Sequence, residues 1–75
     1  MGATKRQVAS IEQMIGSEIT RHTLVGIVDG KHHIACMTVD GPIMFTLRWY
    51  SEFGKWIVLS SNETSEASVE ALRWN

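Results

Sequence analysis

The sequence predicts an α+β fold: an N-terminal helix, a four-stranded antiparallel meander open to curling toward a small barrel, and a short C-terminal helix. Three observations carry this. Val8, Ile11 and Ile15 recur at helical spacing near the N-terminus. Four runs rich in Val, Ile, Thr and aromatic residues follow, each separated from the next by turn residues. Between the first two runs stands Asp29-Gly30, a two-residue hairpin signal because both residue types tolerate positive φ.

The first helix is expected over Lys5–Ile15. Thr4-Lys5-Arg6-Gln7 has capping-box form: the Thr4 hydroxyl can accept from the Gln7 amide while the Gln7 side chain reaches back. Met14 lies beside the apolar stripe, and Gly16 offers a stop. The strands are expected at Ile19–Val28, Lys31–Val39, Ile43–Tyr50 and Lys55–Ser60. The Asp29-Gly30 turn sets Val28 opposite Lys31, Val25 opposite Ile34 and His22 opposite Met37. At the second turn, Pro42 has no N–H to give a two-residue Asp40-Gly41 loop. A four-residue loop, Val39–Pro42, avoids that conflict and sets Thr38 opposite Ile43. The Ser51–Lys55 turn is too loose to fix the fourth strand. A five-residue loop there would put Trp56 and Val58 on the outer face and send Ile57 and Leu59 to the core. Near the end, Thr64 or Ser65 can cap a helix whose apolar side is Ala67, Val69, Ala71, Leu72 and Trp74. Glu63 and Glu66 would then sit near its positive end and Arg73 near its negative end.

This register sorts the sheet into two faces. One collects Val25, Ile27, Ile34, Cys36, Ile43, Phe45, Leu47 and Trp49, with Thr23, His32 and Thr38, and is the expected core face under the helix stripe. The other collects His22, Leu24, Gly26, Val28, Lys31, His33, Ala35, Met37, Met44, Thr46, Arg48 and Tyr50. It is neither core-like nor plainly solvated, and it carries no acid.

Composition bounds the function. The 75 residues make one small domain (residues 1–75), which buries about 60% of the surface of its extended chain and is only marginally stable alone. Cys36 is the single cysteine, so no internal disulfide forms, and one thiol fits a reducing, cytoplasmic setting. MGATKRQVAS lacks the apolar run of a secretory signal, and no window reaches the length of a membrane span. Arg6 stands where a myristoylation signal wants Ser or Thr, and Asn62-Glu63-Thr64 is an acceptor pattern without a secretory route. With 7 basic and 8 acidic residues, the chain is neither a general phosphate binder nor an acidic nucleic-acid mimic.

No cofactor or metal is expected. His32 and His33 point to opposite faces of a strand, and His32 and Cys36 lie about 13 Å apart along it, too far for one zinc ion. No Gly-rich phosphate loop, nucleophile elbow or HExxH occurs, and a core-facing Cys36 reads as a small hydrophobe, so an enzyme is not expected. Tyr, Trp, Met and Arg are the residue types that anchor protein interfaces. The partner-binding residues predicted on the outer face are accordingly Met37, Met44, Arg48, Tyr50, Trp56 and His33. The expected function is a small non-enzymatic protein-binding module that works through one sheet face, with another protein or itself as a homodimer, and with no membrane. Its size suits a stoichiometric regulator or inhibitor of bacterial or phage type, an analogy from size alone. The alternative is single-stranded nucleic-acid binding by Arg48, Tyr50 and Trp56, where cations interleave with stacking aromatics.

Overall fold

A computed structural model of the protein describes residues 2–64. Helix α1 (Gly2–Ile15) is followed by β1 (Arg21–Val28), β2 (Lys31–Thr38), β3 (Gly41–Tyr50) and β4 (Lys55–Glu63). The strands form one antiparallel sheet in the order β1-β2-β3-β4. The α+β meander expected from the sequence is present. It stays open, with β1 and β4 as edges, and does not close into a barrel. The predicted C-terminal helix lies outside the described residues.

Helix α1 begins at Gly2, so Thr4 sits inside it and is not its cap. Its end is where the glycine requires it. Gly16 adopts φ 74°, and its N–H donates to the Glu12 carbonyl at 2.8 Å, the single-bond left-handed cap. The Glu12 carboxylate then accepts the Ile19 N–H at 2.8 Å, which fixes the path from helix to sheet and helps bury Ile19.

Asp29 and Gly30, at φ 52° and 76°, make the tight turn expected of them, and Val28 pairs with Lys31. Beyond it the expected register fails. One extra residue, Val25, bulges between Leu24 and Gly26, so Leu24 pairs with Ile34, His22 with Cys36 and Arg21 with Met37. The bulge reverses the facing of the first half of β1. His22 and Leu24 move to the core side, and Thr23 moves to the other. Gly26 is the local reason, since a strand glycine weakens the ladder and tolerates a bulge.

The second hairpin also differs. Thr38 pairs with Gly41 and Cys36 with Ile43, around a two-residue Val39-Asp40 turn and not a four-residue loop. The Thr38 hydroxyl accepts from the Asp40 N–H at 3.1 Å and donates to the Gly41 carbonyl at 2.8 Å, while Gly41 takes φ 102°. Pro42 fits because its carbonyl accepts the Thr64 N–H at 3.2 Å. That side of the strand faces β4, so β2 asks no N–H of the proline. A slip of two residues preserves the faces, which is why the core on β2 and β3 matches expectation.

At the third turn the loop has four residues, Ser51–Gly54, closed by Tyr50 opposite Lys55, with Gly54 at φ 62°. Trp56 and Val58 therefore fall on the core side and Ile57 on the outer side, the reverse of the five-residue expectation. Leu59 is a second bulge, between Val58 opposite Leu47 and Ser60 opposite Thr46.

The core lies between α1 and one sheet face. Val8, Ile11, Ile19, Ile34, Cys36, Phe45 and Leu47 are buried together, with Ile15, Ile43, Trp56 and Val58 packed against them. Each large apolar side chain so buried contributes about 1.5–3 kcal/mol. One member is polar and escapes sequence reading: Gln7 is buried, and its Nε2 donates to His32 Nδ1 at 2.8 Å, pinning helix to sheet. Helix α1 packs chiefly against β4, which leaves Leu24 and Ile27 on β1 exposed. Among the described residues no helix is long and apolar enough to cross a membrane.

Candidate binding surface

The face turned away from α1 reads in cross-strand rows. At one end Val28, Lys31, Arg48 and Ile57 lie side by side, with Tyr50 opposite Lys55 beyond them. Next come Gly26, His33, Thr46 and Ser60, then Thr23, Ala35, Met44 and Asn62, then Arg21, Met37 and Pro42. Five of the six predicted partner-binding residues, His33, Met37, Met44, Arg48 and Tyr50, thus share this face.

Trp56 does not. It lies on the core side, half-buried, with its ring edge-on to His32 at 4.6 Å and to Trp49 at 5.7 Å. The four-residue turn is the cause, and Trp56 is engaged in packing the end of the core. Both the protein-binding and the nucleic-acid readings lose this residue.

The face is not uniformly open. Thr23, Ala35 and Thr46 in its middle are buried, and His33 Nδ1 is hydrogen-bonded to the Thr46 hydroxyl at 2.9 Å. Met37 and Met44 are half-buried. Besides exposed Arg21, Ser60 and Asn62 at its margins, the accessible part is the end formed by Val28, Lys31, Arg48 and Lys55, with half-buried Tyr50 and Ile57. Phe53, 64% exposed in the third turn, extends it, its ring 6.1 Å from that of Tyr50. Lys31, Lys55 and Phe53 were not among the predicted site residues. The sequence register places Lys31 on this face but opposite Tyr50, and only the two-residue second turn sets it opposite Arg48; Lys55 and Phe53 depended on a turn the sequence leaves undetermined.

Electrostatics set this end apart. Lys31 stands directly opposite Arg48, and Lys55 lies diagonally beyond. Like charges directly opposite on adjacent strands are destabilising. No acid occupies any of these rows, and the nearest in sequence, Asp29 and Glu52, are turn residues. The arrangement concentrates positive potential beside two aromatic rings and two aliphatic side chains.

The remaining chemistry is muted. Cys36 is fully buried, and its thiol is pushed up to about 12, first by burial and then by the Glu12 carboxylate, so at neutral pH it stays protonated. His22 is its cross-strand neighbour, with Nδ1 buried and without a hydrogen bond. Among the described residues no three His, Cys, Asp or Glu side chains converge as a metal site. An open groove of about 280 Å³ runs between α1 and β4, lined by Ser10, Gln13, Met14 and Lys55–Val58, none of them a carboxylate, imidazole or thiol. Comparison with protein-family models, with curated proteins and with solved structures finds no match to this chain.

Proposed function

We propose that the protein is a non-enzymatic binding module whose working surface is the cationic end of the outer sheet face, and that its partner is an acidic segment of another protein. One observation supports this above the others: Lys31 opposite Arg48, with Lys55 beside them. Such a row costs the isolated domain stability, and an anionic partner would turn that cost into attraction. The flanking Tyr50, Phe53, Val28 and Ile57 supply the apolar contacts that make an interface more than an ion pair. Met37, Met44 and His33, half-buried further along the face, border this end and are secondary to it.

Single-stranded nucleic acid is the second reading, favoured by the same cations and by Tyr50 and Phe53 as stacking platforms. It is weakened by the turning of Trp56 to the core side and by the near-balanced charge, 7 basic and 8 acidic residues, which lacks the basic excess typical of a nucleic-acid-binding domain.

Amide chemical-shift titrations separate the two. An acidic peptide carrying leucine and aromatic residues should move the amides of Lys31, Arg48, Tyr50 and Lys55 at about 0.15 M salt, near physiological screening. A short oligothymidylate should bind more weakly and lose binding steeply as salt rises. Shifts confined to other surfaces, or tighter binding of the oligonucleotide, would overturn the protein-binding reading.

A further inference from the structure

The two edges of the sheet are built differently. On β4 the exposed edge residues are Lys55 at its start and, from a bulge at the exposed Leu59, Ser60, Ser61, Asn62 and Glu63, a mostly polar and irregular design that discourages strand pairing. On β1 the run Leu24-Val25-Gly26-Ile27-Val28 holds no charge and no proline, and its four aliphatic side chains are 40%, 42%, 56% and 58% exposed. Leu24 and Ile27 lie on the core side, where α1 does not reach, and Val28 lies on the outer side.

We propose that β1 is a self-pairing edge that joins two copies of the chain across a two-fold axis into one continuous eight-stranded sheet. The occupant follows from the strand's own pattern. In the pairing with β2, Val28, Gly26, Thr23 and Arg21 stand opposite the β2 residues that face β1. The backbone groups of Ile27, Leu24 and His22 are therefore left for the open edge. The Val25 bulge sets Leu24 and Ile27 on one face although three positions separate them. Antiparallel pairing with a second copy can then put Leu24 of one beside Ile27 of the other, twice, with Thr23 beside Val28 on the outer face. Leu24, Ile27, Thr23 and Val28 thus each meet an apolar or methyl-bearing neighbour on their own side of the sheet. An eight-residue strip is about 27 Å long and one sheet thick. With a thickness of about 10 Å this is roughly 270 Å² per copy, well below the roughly 800 Å² per partner of a standard interface, which makes this a concentration-dependent pair and not an obligate dimer.

The strip shares only Val28 with the cationic end, and Ile27, on the core side, lies outside that end, so Ile27→Lys lets either fail without the other. Sedimentation equilibrium up to about 1 mM chain tests it, since weak pairs form only near their Kd. The wild type should move from monomer to dimer. Ile27→Lys and Val28→Lys, each at an exposed position, should weaken the pair at least about 10-fold while melting as the wild type does. Leu59→Lys on the opposite edge should leave it unchanged. A wild type that stays monomeric throughout, assembly beyond a dimer, or a dimer lost with Leu59→Lys and kept with Ile27→Lys, would overturn the proposal.

Discussion

Replacing Arg48 by Glu separates stability from binding, and the structure predicts opposite signs for the two. Arg48 is exposed and directly opposite Lys31. Directly opposed side chains on antiparallel strands have Cβ atoms about 4.5–5.5 Å apart, and a like-charged pair there is destabilising by roughly 0.2–1 kcal/mol. Arg48→Glu exchanges that repulsion for an attraction of similar size and improves the diagonal to Lys55. Exposed pairs are screened, so the net gain should fall near 1 kcal/mol or below. For a domain of 60–100 residues, 1 kcal/mol corresponds to about 4–8 °C in Tm. Thermal unfolding followed by far-ultraviolet circular dichroism should therefore show Tm rising by a few degrees at low salt, with the rise shrinking in about 1 M NaCl, where the Debye length is about 3 Å. Binding of an acidic partner should drop by at least about 10-fold at the same time. A Tm that falls, or a rise insensitive to salt, would refute the opposed-charge reasoning.

Other outcomes follow from the same packing. Trp56→Ala should cost about 2–3 kcal/mol, because it removes a half-buried ring and two edge-on aromatic contacts, whereas Tyr50→Ala should cost about 1 kcal/mol; denaturant unfolding compares them, and equal losses would contradict the face assignment. Gln7→Ala should destabilise by about 1–3 kcal/mol by leaving His32 Nδ1 without its donor, measured in the same way. Cys36 should resist a thiol reagent at pH 8 in the folded protein and react fully when unfolded. The folded state holds this proton up to about pH 12 while the unfolded thiol releases it near 9, so this group's contribution to stability should be lost as pH rises through that window, and Cys36→Ala should make the decline shallower.

Element types were legible where local chemistry dominates. The stripe of Val8, Ile11 and Ile15 and the stop at Gly16 locate the helix, and Asp29-Gly30 locates the first turn. The inward set on β2 and β3 was also legible, because a register slip of two changes partners without changing faces. What escaped depends on single inserted residues. The Val25 bulge turns Leu24 and His22 over, and one residue fewer in the third turn takes Trp56 off the binding face. Gly26 was a sign of the first. Nothing local decides the second, since Ser51–Gly54 closes with Gly54 in a left-handed conformation that a five-residue loop could use equally. The burial of Gln7 was hidden for another reason: a polar residue in a helix stripe reads as solvated until its partner His32 is placed across the core.

The central claim is that the cationic end around Arg48 contacts an acidic protein partner. Side-by-side affinity capture from the source organism with wild type and Arg48→Glu, each with and without nuclease, tests it most directly. A protein retained by the wild type, resistant to nuclease and lost with Arg48→Glu, is the predicted result. The same set captured by both proteins, or a set that disappears with nuclease, would contradict it.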